Sequence, residues 1–286
     1  MAQRPNAKRA AKGLWWDNAL KLVEGCTRVD KTCAHCWSER EAAMRCRNPL
    51  VMHRYKGVLT DHHTWNGEIS LQHSNLDKPF DVRKPKVYAV WNDLFHESVP
   101  VDFIYWVLAL FAFTPRHTYI VLTKRAERMY ELMSNPTTAL RVASLMQRVV
   151  GAKGAEDVPP IPKLDHVWFG TTVGSFSGLH RVEYLCSTPS KVHVLSVEPL
   201  VEHVPVKELL KPFKREGILK SLFVIVGCES GAHRRITRTE WVTEIVGECT
   251  RLGIPVWLKQ LEQAGKVVKA PELFGRQFLE WPGEAT

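Results

Sequence analysis

No stretch of this chain is apolar for long enough to cross a membrane as a helix. The longest run, Phe103 to Phe113, falls well short of the roughly 20 residues that such a span needs. No apolar segment follows the basic start (Arg4, Lys8, Arg9, Lys12), so a signal peptide is not expected and a cytoplasmic location is. Internal repeats are missing. Cysteines number 7, an odd count that leaves one over from any full pairing and argues against a disulfide framework. Acidic groups are the scarcer sign, with 30 Asp and Glu against 39 Lys and Arg, a formal charge of +9. An excess of this size is compatible with a nucleic-acid partner without requiring one. What remains is a globular composition of 286 residues, 45% hydrophobic and 24% charged, which excludes a disordered or collagen-like chain.

Short apolar segments rich in β-branched residues recur at Ala19–Glu24, Val87–Trp91, Thr118–Leu122, Val167–Gly170, Val192–Val197, Leu222–Val226 and Val256–Leu258. Helical patterns alternate with them at Trp37–Cys46, Val101–Phe113, Ala126–Leu132, Thr138–Val149, Leu179–Cys186 and Glu240–Leu252, with Pro100 and Gly253 as punctuation. Nearly continuous apolar strands separated by helices predict an α/β fold with a parallel sheet, covered on both faces or closed into a barrel. Length alone would allow two domains, but a barrel of this size folds as one. The expected organisation is a flexible basic tail over residues 1–14 and a single domain over 15–286. That domain carries an insertion at 47–86, with short strands around Val58 and Ile69. Residues 151–163, with Pro159, Pro160 and Pro162, read as a surface connection.

Every one of these strands ends on polar or ligand-forming residues: Gly25-Cys26, Asn92-Asp93, Thr123-Lys124-Arg125, Thr171-Thr172, Glu198, Glu229-Ser230 and Lys259-Gln260. In parallel α/β folds the active site lies at the carboxyl ends of the strands, so one shared site is expected there. Cys26, Cys33 and Cys36 follow the first strand with the spacing C-x6-C-x2-C and run into a helix. Three thiolates from one loop can hold three irons of a 4Fe-4S cluster and leave the fourth iron open. Zinc is an alternative, with Cys46 or the insertion histidines completing a tetrahedral set, although the usual second cysteine pair is missing. Three unliganded cysteines are the third option.

The segment from Gly25-Cys26-Thr27 through Cys36-Trp37-Ser38-Glu39-Arg40 resembles the signature of a phage-associated three-cysteine radical S-adenosylmethionine family. The resemblance continues through Asn92-Asp93-Leu94-Phe95-His96-Glu97, Leu122-Thr123-Lys124-Arg125-Ala126-Glu127-Arg128-Met129 and Trp168-Phe169-Gly170-Thr171-Thr172-Val173. It ends in Leu195-Ser196-Val197-Glu198-Pro199-Leu200, Val224-Ile225-Val226-Gly227-Cys228-Glu229-Ser230-Gly231 and Trp257-Leu258-Lys259-Gln260, covering about residues 25 to 260. It implies a partial (β/α) barrel of six to seven parallel strands in which Cys26, Cys33 and Cys36 bind a 4Fe-4S cluster. S-adenosylmethionine would chelate the fourth iron and be cleaved reductively to a 5′-deoxyadenosyl radical. The sequence departs from the commonest spacing of the wider superfamily, which is C-x3-C-x2-C with an aromatic residue before the last cysteine. Here that residue is His35, and Cys228 stands where a second glycine is expected.

Around that core, Asn92, Asp93, Thr123, Lys124, Thr171 and Ser196 are expected at the cofactor, with Asp93 accepting from the methionine amine and Lys124 holding a carboxylate or phosphate. Glu198, Glu229 and Lys259 are the expected catalytic groups, although the two glutamates could equally pair with cations across the barrel mouth. Arg128 is expected to be solvated, and Cys186 and Cys249 to lie in the core. The substrate expected is a nucleobase in phage DNA hypermodification, for example an amino-acid-modified thymidine that is isomerised. DNA or a nucleotide is then the partner, the infected bacterial cell the setting, and flavodoxin or ferredoxin the kind of electron donor. Photoproduct-type DNA repair by the same radical is the neighbouring reading, and a zinc-stabilised, non-catalytic nucleic-acid-binding protein is the reading from another class.

Overall fold

The computed structural model of the protein describes residues 3–151 and 154–284. Its strands are β1 (Asn18–Lys21), β2 (Val23–Glu24), β3 (Ser70–Leu71), β4 (Val87–Trp91), β5 (Thr118–Thr123), β6 (Val167–Thr172), β7 (His193–Val197), β8 (Leu222–Gly227), β9 (Val256–Gln263) and β10 (Lys266–Lys269), with a short antiparallel pair, β11 (Glu272–Leu273) and β12 (Arg276–Gln277), near the end. Its helices are α1 (Ala7–Ala10), α2 (Trp37–Arg45), α3 (Lys78–Asp81), α4 (Val101–Phe113), α5 (Ala126–Ser134), α6 (Pro136–Val150), α7 (Arg181–Ser187), α8 (Val206–Arg215) and α9 (Thr239–Arg251). The main sheet has 8 strands in the order β1-β4-β5-β6-β7-β8-β9-β10. All neighbours from β1 to β9 are parallel, and β10 returns antiparallel on β9 as a hairpin.

Each of the strands from β5 to β9 lies beside its predecessor, so right-handed crossovers stack the helices on one face and curl the sheet into a half-barrel. The outer face explains the continuous apolar runs. Tyr119 and Val121 of β5, Val167 and Phe169 of β6, and Val224 and Val226 of β8 pack with Ile104, Leu108 and Phe111 of α4 and with Val242 and Ile245 of α9 in one buried cluster. Helix α4 is apolar almost all round because it is buried on most sides. It stops where the Thr114 hydroxyl donates to the Leu110 carbonyl at 2.8 Å and meets the Tyr119 hydroxyl at 2.6 Å. Gly253, at φ 65°, follows α9 in the left-handed conformation that closes helices cheaply.

The inner face carries the alternate residues of the same strands. Val87 and Ala89 of β4, Ile120 of β5, Trp168 of β6, Val194 of β7, Phe223 and Ile225 of β8 and Trp257 of β9 meet in a second buried cluster together with Ala10, Trp15 and Trp281. This apolar floor fills the lower part of the half-barrel. The segment expected to be a flexible tail is part of it, apart from Met1 and Ala2, which lie outside the described residues. Helix α1 is capped by Asn6, Ala10 is buried, and the Trp257 indole donates to the Gly13 carbonyl at 2.9 Å. Gly13 must be glycine there, since a Cβ would stand 2.1 Å from the Lys259 carbonyl oxygen.

Trp281 packs on Trp168, Phe223 and Trp257 at centroid separations of 5.1, 5.2 and 5.9 Å, but its buried indole N–H has no acceptor. Trp281→Phe therefore loses packing volume and relieves an unsatisfied donor. A net destabilisation of about 1–2 kcal/mol in urea unfolding is expected. No loss of stability would mean that the floor does not depend on this ring.

Two expectations about the sheet change. The first strand does not run unbroken from Ala19 to Glu24. It breaks at Leu22, because the insertion takes over its hydrogen bonds: the Asn75 side chain donates to the Lys21 carbonyl at 2.5 Å and the Gln72 amide to the Leu22 carbonyl at 2.8 Å. Then β2 pairs with β3 of the insertion. Around Val58 there is a single bridge, Leu59 to Trp65, beside a small core of Ala42, Tyr55 and Val58, and β3 lies next to Ile69.

Candidate active site

At the carboxyl ends of the strands the inner face opens into a cavity of about 420 Å³. Above the apolar floor, Gly170 stands at an inward position where a side chain would collide, and Gly227 at one where a side chain would crowd Glu198 and Gln260. A Cβ on Gly170 would lie 2.4 Å from the Val194 carbonyl oxygen, and one on Gly227 would lie 3.3 Å from Cγ of Glu198. The polar strand ends Asn92, Asp93, Thr123, Lys124, Thr172, Ser196, Glu198, Glu229, Lys259 and Gln260 all line this one space, as do Cys26, Cys33 and Cys36.

Thr171 is the exception. It is fully buried and donates to the Thr123 carbonyl at 2.7 Å, while Thr172 faces the cavity. A strand turns successive side chains to opposite faces, so only one of the two threonines can reach the site.

The cysteine loop is held by side chains that follow β4, β5 and β8 and by one from the start of α7. Buried Arg125 ion-pairs with Asp93 at 3.1 Å and with Glu97 at 3.0 Å, and donates to the Thr27 carbonyl at 3.2 Å. His96, buried beside it, meets the Thr27 hydroxyl at 3.0 Å. Arg181, also buried, pairs with Asp30 at 2.6 Å and donates to the Thr172 carbonyl at 2.9 Å. From β8, Glu229 accepts from Arg235 at 2.6 Å and from His35 at 2.9 Å, and Arg235 also donates to the Lys31 carbonyl at 2.8 Å. Burial works to raise the Glu229 carboxyl, but these bonds from Arg235 and His35 hold it below its ordinary value. Sequence reasoning missed His96 and Arg181 as members of this scaffold. Their partners lie far away in the chain, and only the spacing of the strand ends brings them together.

Several expected ligand groups are thereby occupied. Both oxygens of Asp93 are engaged, by the Phe95 amide and Thr123 hydroxyl on one side and by the Lys124 amide and Arg125 on the other. Asn92, at φ 60°, accepts from the Ser38 hydroxyl and donates to the Val23 carbonyl at 2.7 Å and to Glu24 at 2.9 Å, tying β4 to β2 and α2. Glu198 and Lys259 are ion-paired inside the cavity, each with its side chain about one-seventh exposed. The Lys124 ammonium lines the cavity, and its charge acts on Asp30 and on Cys36. Arg128 is not solvated as expected: it donates to the carbonyls of His96 and Val99 and closes the turn after β4. Cys186 and Cys249 lie in the core as expected.

The three cysteines are free thiols, partly exposed in one loop. Burial, followed by the Asp93 charge, pushes the Cys26 thiol up to about 12, and burial also raises Cys36. A thiolate here needs positive partners, and each sulfur has an N–H donor near it. Arg125 reaches Cys26 at 3.5 Å, the Val29 amide reaches Cys33 at 3.5 Å, and the amides of Glu39 and Ser38 at the start of α2 serve Cys36. Donors to every sulfur are what a thiolate-ligated iron–sulfur cluster receives from its surroundings, so the donor set fits one. No three His, Cys, Asp or Glu among the described residues converge closely enough to hold a single metal ion. Cys46 lies outside the cavity lining, with its sulfur 3.8 Å from His63.

Fold and site together define an α/β half-barrel protein with a three-cysteine cavity at the ends of its strands. The chain belongs to the family described as "Protein of unknown function (DUF5131)", which matches residues 11–281. No curated protein matches it. A solved structure of a spore photoproduct lyase variant is similar, with a TM-score of 0.43 and 12% identity over 87% of this chain and 64% of that one. The chain thus spans just under two thirds of that protein's length.

Proposed function

We propose that the protein is a radical S-adenosylmethionine enzyme that acts on a nucleobase in phage DNA hypermodification, for example by isomerising an amino-acid-modified thymidine. The observation that supports this best is the loop of three free cysteines, each sulfur served by an N–H donor, facing a cavity at the strand ends.

Cys26, Cys33 and Cys36 would hold three irons of a 4Fe-4S cluster and leave the fourth to the amino and carboxylate groups of S-adenosylmethionine. When bound, the cluster supplies the electron that splits the sulfonium into methionine and a 5′-deoxyadenosyl radical able to take a hydrogen atom from substrate. Lys124 would hold the methionine carboxylate as a point charge. Thr172 and Ser196 would offer hydroxyls to the nucleoside. Glu198, ion-paired with Lys259, would accept from ribose hydroxyls or from an amine on the substrate. Asp93, Asn92 and Thr123 act through the backbone they fix. The tryptophan floor keeps water away from the reacting centre, and a small electron donor such as flavodoxin or ferredoxin would dock near the loop.

Protein reconstituted anaerobically with iron and sulfide, then reduced, is expected to convert S-adenosylmethionine to 5′-deoxyadenosine and methionine. Lys124→Ala is expected to weaken S-adenosylmethionine binding roughly tenfold, the loss of one charge-assisted contact. A colourless protein that carries zinc and no acid-labile sulfide would overturn the proposal. Nucleoside mass spectrometry of phage DNA, with and without an intact Cys33, tests the substrate: accumulation of an isomeric precursor is expected, and an unchanged profile rules out DNA modification.

A further inference from the structure

One wall of the cavity is built from indole rings. Trp16 comes from the segment before β1, Trp37 from the first turn of α2, Trp65 from the insertion and Trp91 from the end of β4, and all four line the same space. Trp37 meets Trp91 edge to face at 4.7 Å. The Lys21 ammonium lies 4.3 Å from the centroid of Trp91, and Lys259 lies 5.6 Å from that of Trp16. Cations and a neighbouring ring thus pack against these indoles.

Trp37 is 44% exposed although it lines a cavity, an apolar exposure that the fold itself does not require. Indole rings at the opening of a cavity suit a flat heteroaromatic ring.

Two rings of that kind are available: the adenine of the cofactor and the base of the substrate. The lip position favours the second, because a base still attached to a polynucleotide must enter from solvent past Trp37, swung out of its stack. We infer that Trp37 and Trp91 form the stacking subsite for the substrate nucleobase. This rests on the nucleobase reading above, but it concerns binding alone and can be tested without the cluster.

The experiment uses the full chain as purified, with intrinsic tryptophan fluorescence and calorimetry as readouts. The probes are a short oligothymidylate, the same strand with one abasic site in place of a central thymidine, and S-adenosylhomocysteine. Oligothymidylate is expected to quench the fluorescence and to bind more tightly than the abasic strand. Trp37→Ala, at an exposed position, should weaken oligothymidylate roughly tenfold or more, the usual loss when one stacking ring is removed. Trp37→Phe should restore most of the affinity, and S-adenosylhomocysteine should bind both variants like the parent. Equal binding of the intact and abasic strands would overturn the inference. So would a Trp37→Ala variant that loses S-adenosylhomocysteine and keeps oligothymidylate, which would hand the wall to the cofactor's adenine. Base-dependent binding without any cleavage of S-adenosylmethionine would leave the subsite standing and remove the radical reading.

Discussion

Cys33→Ala protein, reconstituted and desalted in parallel with the parent, is expected to lose essentially all bound iron and sulfide and the brown absorbance that accompanies them. The parent should retain about four irons per chain. The expectation is steep because the three cysteines come from one short loop and no fourth protein thiol stands by. Cys46 lies outside the cavity and faces His63, and Cys228, though in the cavity, is a buried thiol raised to about 11 by burial and by Glu198. Cys26→Ala and Cys36→Ala should behave alike. Folding is not expected to suffer, since the loop is also pinned at Thr27, Asp30 and His35, so circular dichroism should match the parent. Full iron retention by any of the three variants would count against the cluster assignment, and zinc bound stoichiometrically in their place would revive the structural-metal reading.

Arg125→Met should be strongly destabilising. The guanidinium and its partner Asp93 are both more than nine-tenths buried as side chains, so removing one leaves the other without compensation. Such a loss costs about 3–5 kcal/mol. The Glu97 contact adds little, because that carboxylate is largely exposed. Denaturant unfolding of Arg125→Met, Asp93→Asn and the double variant gives the coupling directly. The double variant should be more stable than the sum of the singles implies, and strict additivity would show that the pair does not act as a unit.

Much of the barrel was legible in the sequence because its strands are apolar on both faces. Val87–Trp91 and Leu222–Val226 stand out from any surrounding pattern, and Pro100 and Gly253 mark helix ends for simple steric reasons. What escaped was structure made from polar chain. β10, with lysine at both ends, is a strand because β9 offers it a ladder, and nothing in its composition announces that. The first fourteen residues look like a solvated tail by charge, yet α1 and the glycine beneath it are anchored by contacts with β9 and the far end of the chain. In the site, the residue types at the strand ends indicated a shared cavity, but their individual duties did not follow. Asp93 and Glu229 were natural candidates to touch a ligand, and the fold spends them on Arg125 and Arg235. The choice between Thr171 and Thr172 depended on which face each strand turns inward, which is fixed by register and not by residue type.

Among the described residues, the half-barrel's sheet stops at β1 on one side and β10 on the other, with no ladder joining them. A closed barrel has its radius dictated by strand number and shear. Here the width of the mouth is free of that constraint and is set by the bulk of side chains such as Trp15, Trp168 and Trp281 that prop the floor apart. Related chains can therefore acquire wider or narrower mouths by exchanging a few of these rings, without giving up a single backbone hydrogen bond.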